Sequence, residues 1–229
     1  MRTTTDDEMV ARGGRIGQLA TFFSLVMVLG GLIASFTQYR LITVFIIALG
    51  VVMYTLGARN QEQASRQPLH IKQLTEALSE FDDRYRLYNY VLPAPHVLLT
   101  PYGVFVLVLK GMDGKIRCFK DKWARDLGLR RILRFFTEEP LGNPSKEAAQ
   151  DVKKLQKYVE QHAPAVQADT SGVVVFLNPG ARLEIATASV PVLPVRRLKS
   201  HIRKASAQMD LPPETLDTLT QLFDKAPRS

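Results

Sequence analysis

GVFVLVLKGMDGKI, residues 103–116, decides how the fold is read. From Gly103 to Leu109 the residues alternate as in a buried strand, and Val104, Val106 and Val108 share one face. Lys110 follows on that same face. Met112-Asp113-Gly114 then reads as a turn and Lys115–Phe119 as a second strand. Such a stretch is either a plain hairpin or the half of a nuclease site that carries the lysine. The presence of acids for that lysine to serve distinguishes the two.

Outward from this stretch, Tyr88–Leu92 and His96–Thr100 carry strand signals. Upstream, Ile71, Leu74, Leu78 and Phe81 share one helical face after Pro68. Downstream, LGLRRILRFF from Leu127 reads as a short helix. Asn143-Pro144 is a helix start, Asn as cap and Pro at the first position, for a helix to about Gln161 that buries Ala148, Val152, Leu155 and Val159. The continuous apolar run 172–177 (GVVVFL) suits a central strand covered on both faces, and Arg182–Ile185 an edge strand. Pro194 opens a basic helix to about Met209. Leu216, Leu219, Leu222 and Phe223 mark a last amphipathic helix. This alternation predicts an α/β domain with a mixed sheet flanked by helices.

The N-terminal quarter differs in kind. No charged residue lies between Arg15 and Arg40, or between Arg40 and Arg59. At about 1.5 Å of rise per residue each run nearly crosses a hydrocarbon core of about 30 Å, and lipid requires such runs to be helical. The expectation is a two-helix transmembrane hairpin, 16–37 and 41–58, within which Gly30-Gly31 and Gly50 either permit close approach or are ordinary membrane glycines. Arg2, Arg12 and Arg15 precede the hairpin, Arg59, Arg66 and Lys72 follow it, and the turn has only Arg40. The positive-inside rule therefore places both termini in the cytoplasm of a multi-pass membrane protein.

The chain is basic, with thirty Lys and Arg against twenty-two Asp and Glu, which favours an anionic partner. A single cysteine, Cys118, excludes a disulfide framework and reads as an inert core residue. No zinc spacing, phosphate loop or Ser-His-Asp signal occurs.

The order HVLLTPYGVFVLVLKG…GKI…W…NP…VVVFLNPGARLEI…VPVLPVRRLKSHI, over roughly Leu74 to Ile202, resembles the nuclease-related domain (NERD) family. The resemblance implies a restriction-endonuclease-like fold in which two carboxylates hold Mg²⁺ and a lysine two residues after the second acid serves the attacking water. It also implies where the acids belong, and there this chain has Pro95 and Val108. Lys110 is kept and Glu76 matches a further family acid, so these two are vestigial candidates. Glu147 and Asp151 stand where the family more often has amides. A displaced site would need Glu76, Glu80, Asp113 and Glu184 to converge. Without that, no metal is expected, no cofactor, and no metal-dependent cleavage. Lys110 then reads as a strand-end lysine stretching to solvent, His96 as a half-exposed strand residue and Trp123 as packing at the sheet margin.

The expected organisation is a tail (1–15), the hairpin (16–58), a polar linker (59–67), the NERD-like cytoplasmic domain (68–209) and a C-terminal helix (210–229). Two basic groups are the candidate contacts for nucleic acid or anionic lipid headgroups: Lys115, Arg117, Lys120, Lys122, Arg130, Arg131 and Arg134, and then Arg196, Arg197, Lys199 and Arg203. The function expected is binding or scaffolding at the membrane, with nucleic acid the first candidate ligand. An active nuclease with displaced acids and a protein-interaction or membrane-organising module are the alternatives.

Overall fold

The computed structural model describes residues 1–34, 40–126, 140–207 and 211–227. In order, these form β1 (Arg2–Thr5), α1 (Asp7–Ala34), α2 (Arg40–Leu78), β2 (Arg86–Asn89), β3 (His96–Thr100), β4 (Gly103–Lys110), β5 (Gly114–Phe119) and β6 (Lys122–Asp126). There follow α3 (Pro144–His162), β7 (Thr170–Phe176), β8 (Ala181–Thr187), β9 (Val192–Pro194), a 3₁₀ turn (Val195–Arg197), α4 (Leu198–Ser206) and α5 (Pro213–Asp224). The helix expected from Leu127 lies outside the described residues.

Two compact units divide the chain. The first comprises Met1–Asp6, His70–Leu127 and Leu141–Ser229, the second Asp7–Leu69 and Gly128–Pro140. The first unit is the mixed α/β domain. Its main sheet has the order β1-β2-β3-β4-β7-β9, and a smaller sheet has the order β6-β5-β8. β4 is antiparallel to β3 and parallel to β7. One face of the main sheet (Leu87, Leu98, Phe105, Leu107, Val173, Val175) packs with Leu74 and Leu78 of α2 and Leu198 and Ile202 of α4. The other face (Val97, Leu99, Val104, Val106) packs with Leu155 of α3 and Leu219 and Phe223 of α5. Cover on both faces is why β4 and β7 read as unbroken apolar runs.

Several expectations change at this level. β4 and β5 are not a hairpin: β5 pairs with β6 and β8 in the second sheet, and Gly114, at φ +90°, begins it. The strand expected at Tyr88–Leu92 lies at Arg86–Asn89. Within the segment read as a tail, β1 adds a parallel edge strand to β2, with Arg2 opposite Arg86 and Thr5 opposite Asn89. The polar stretch 59–67 is no loop, because α2 runs through it and past Pro68. Its Gln, Glu, Ala and Arg are good helix formers. The C-terminal helix packs into the same core as the sheet rather than standing apart. β8 is an edge strand, as its composition predicts.

In the second unit α1 and α2 pack against each other along small residues. The buried positions are Gly17, Ser24 and Gly31 on α1 and Thr43, Gly50 and Gly57 on α2, each series spaced by seven. A methyl group on Gly57 would lie 2.9 Å from the Thr21 backbone nitrogen, and one on Gly50 2.8 Å from Val28 Cγ2. Gly31 and Gly50 thus serve close approach as expected, whereas Gly30 meets nothing within 4 Å. The hydroxyls of Thr21 and Ser24 donate to the carbonyls of Gly17 (2.9 Å) and Thr21 (2.6 Å), so neither needs water. Phe22, Phe23, Leu29 and Ile33 are all more than half exposed. Among the described residues one helix, Arg15–Ile33, is long and apolar enough to cross a membrane. The second apolar stretch, Thr43–Ala58, is shorter. It covers about 24 Å at the usual helical rise, less than the hydrocarbon thickness of about 30 Å.

Candidate functional site

Lys110 closes β4 beside Phe176, the last residue of β7. Alternation turns it to the face that α3 covers. The first turn of α3 is fixed by its cap: Asn143 Oδ1 accepts the Lys146 N–H at 3.0 Å and Pro144 takes the first helical position. Glu147 follows in that turn, where the helix dipole favours a carboxylate. Its Oε2 lies 2.8 Å from Lys110 Nζ. The lysine side chain is 4% exposed and the carboxylate 38%. Gly142, at φ +62°, lets the chain enter the helix here, and a methyl group on it would strike Glu147 Oε1 at 2.7 Å.

The reading of Lys110 as a solvated strand-end lysine is therefore corrected. Its stem is covered because α3 crosses the end of β4, and its ammonium meets a carboxylate from that helix. Around it Val108, Ala148, Val174 and Phe176 form an apolar patch with Trp123 at its edge. Trp123 packs as expected, stacked on Phe176 at 6.3 Å between centroids and donating to Ser145 Oγ at 3.1 Å.

The same end of the main sheet holds a second buried polar group. His96 is 5% exposed, not half-exposed, since β3 is an inner strand. Its Nδ1 lies 2.9 Å from Asn89 Oδ1, and Asn89 Nδ2 donates to Thr5 Oγ1 of β1 at 3.3 Å. Burial, aided by the neighbouring His70, pushes its pKa down to about 3.

A divalent cation does not fit these residues. Val108 offers methyl groups and Pro95 a ring, and the carboxylate at Lys110 already faces an ammonium. The other acids do not converge. Glu76 is 4.0 Å from Lys72, Glu80 binds Lys199, Asp113 lies 2.7 Å from Arg125 and Glu184 2.9 Å from Lys115. Asp151 sits by Lys154 at 2.7 Å. Among the described residues no three acidic, histidine or cysteine side chains stand together as a metal site.

The basic candidates separate into two places. Lys115, Arg117, Lys120 and Lys122 lie on β5, β6 and the turn between them. Arg196 and Arg197 are exposed in the 3₁₀ turn, Lys199 binds Glu80, and the Arg203 guanidinium lies 5.7 Å from the centre of the Phe81 ring. Arg130, Arg131 and Arg134 lie outside the described residues. The sequence reading missed the partnership of Lys110 and Glu147. The Asn-Pro cap and the β4 alternation were its available signals, one placing Glu147 in the first turn and the other turning Lys110 to that face.

Residues 65–177 match the model of the nuclease-related domain family, NERD. The match spans the second part of α2 to the end of β7, and so includes Pro95, Val108, Lys110 and Glu147. Neither a curated protein nor a solved structure matches the chain.

Proposed function

We propose that this chain is a membrane-anchored nuclease-related domain without hydrolytic activity, and that its domain binds a polyanion at the cytoplasmic face, nucleic acid first. The observation that carries the loss of activity is the Lys110–Glu147 pair over Val108. A lysine that serves an attacking water must reach it. Here the ammonium is withdrawn under α3 and held by a carboxylate, beside an apolar patch to which Val108 contributes methyl groups where the resemblance expects an acid.

The anchor rests on the apolar surface of α1 and on the small-residue seam between the helices. We read both helices as crossing the membrane. β1 precedes α1 and β2 follows α2, and the two pair in one sheet, which favours a hairpin whose ends return to the same side. The basic residues flanking the hairpin favour the cytoplasm for that side.

The test is incubation of the purified full chain with DNA and RNA in Mg²⁺ or Mn²⁺, alongside Lys110→Ala. No cleavage by either protein is expected, with binding that weakens steeply as salt rises. Metal-dependent cleavage by the unmodified chain, lost in Lys110→Ala, would overturn the proposal and assign Glu147 to a displaced metal site. Failure to bind any nucleic acid at low salt would leave a protein-interaction or membrane-organising module.

A further inference from the structure

The smaller sheet turns one face to solvent. By register, Lys115, Arg117 and Phe119 of β5 share that face with Asp126, Ala124 and Lys122 of β6 and with Arg182 and Glu184 of β8. All but Lys115, which is half-buried, are exposed. A shallow groove runs across it, lined by Arg117, Phe119, Lys122, Ala124, Glu184 and Ala186. Phe119 is 57% exposed. In the α/β unit only it and Tyr102, at 39%, are exposed large apolar side chains among the described residues.

The turn that follows Phe119 is strained and tied down by hydrogen bonds. Lys120 and Asp121 have φ of 48° and 56°, the primed turn of a two-residue hairpin loop, made without glycine. Such strain persists only where the surroundings impose it. Here Asp121 imposes it. Its carbonyl accepts from Asn143 Nδ2 at 3.0 Å, and its carboxylate accepts from the Ser189 N–H at 2.9 Å. The Ser145 hydroxyl, then the Ser189 N–H, hold that carboxyl below the usual range. Lys120 is exposed, and its ammonium lies over the Phe119 ring, 5.4 Å from the ring centre.

We propose that this face binds single-stranded nucleic acid, with a base stacked on Phe119 and phosphates held by Arg117, Lys120, Lys122 and Arg182. The proposal deepens the polyanion reading above and rests on it. An exposed ring ringed by cations is what a single strand uses, because its bases have free π-faces, whereas those of a duplex are stacked on one another. Residues two apart on β5 are about 6.4–6.8 Å apart, so ring and guanidinium stand side by side along an extended strand. Glu184 and Asp126 argue against a lipid surface: a continuous anionic plane would press on both carboxylates, whereas separate phosphates pass between them.

The experiment uses the full chain in nanodiscs of neutral phosphatidylcholine. Fluorescence anisotropy is read with labelled oligothymidylate of about 10 nucleotides and with a duplex of the same length. Stacking is worth about 1–3 kcal/mol per base, so Phe119→Ala is expected to weaken single-strand binding about 5- to 150-fold. Phe119→Trp, which keeps a ring, retains it, and duplex affinity does not follow either change. Single-strand binding that Phe119→Ala leaves intact would overturn the platform while the polyanion reading stands. No binding of either oligonucleotide at low salt would remove both. Phosphatidylserine vesicles bound through Phe119, with no oligonucleotide bound, would assign the face to lipid and overturn the proposal.

Discussion

Lys110 Nζ and Glu147 Oε2 lie 2.8 Å apart, joining the end of β4 to the first turn of α3. The lysine is buried and the carboxylate is half-exposed, so the two sides of the pair are unequal. Removing the acid takes the opposite charge away from a covered ammonium. Removing the lysine frees a carboxylate that can turn to water.

The first prediction follows from that asymmetry. Glu147→Gln should destabilise the domain by about 1–2 kcal/mol, below the figure for a fully buried pair because water reaches the carboxylate. Lys110→Met, which fills the same space without charge, should cost less than Glu147→Gln. Thermal unfolding of both variants checks the order, and the reverse order would contradict it.

The buried His96 sets a pH dependence. Its pKa is about 3 when folded and about 6.5 when exposed, so the unfolded chain takes the proton first. The contribution is whole above about pH 6.5 and is lost as pH falls toward 3, at up to about 1.4 kcal/mol per pH unit. Replacing His96 with Asn should flatten the fall in unfolding temperature on acidification. An unchanged pH profile in that variant would count against this origin.

The glycines of the helix pair can be tested by contrast. Gly57→Leu meets the Thr21 backbone at the seam, where neither side can yield cheaply. A Cβ at Gly30 has nothing within 4 Å, so a side chain there starts in open space. Expected in detergent is a marked loss of thermal stability for Gly57→Leu and little change for Gly30→Leu. Equal effects would mean that the seam is elsewhere.

The pairing of β1 with β2 predicts a topology. With Cys118→Ser as background, single cysteines at Thr3 and Lys225 should react with a membrane-impermeant reagent only after cells are permeabilised. Labelling of one but not the other in intact cells would break the hairpin reading.

The same pairing bears on truncation. A fragment of residues 68–229 lacks β1, so the β2 edge loses its cover. Unpaired edges invite association. The fragment should self-associate more than one in which residues 1–6 are restored through a flexible linker. Light scattering of the two checks this.

The sequence by itself determined what local periodicity and covalent chemistry fix. Alternation set β4 and turned Lys110 and Val108 to one face; the Asn143-Pro144 cap set the start of α3; uncharged length marked α1 as a candidate span. It also shows that positions 95 and 108, Pro and Val, carry no oxygen side chain. The tertiary structure alone decided which distant residues meet. Helical propensity carries α2 through 59–67 despite their polarity, because no glycine interrupts it. β5 leaves β4 for a second sheet, since strand pairing is chosen by the whole fold and not by the turn. His96 is buried because β2 and β4 flank its strand, which spacing along the chain cannot reveal. Lys110 is paired because a helix beginning more than thirty residues later crosses the end of its strand. Burial and ion pairing are properties of that crossing, and no local pattern encodes it.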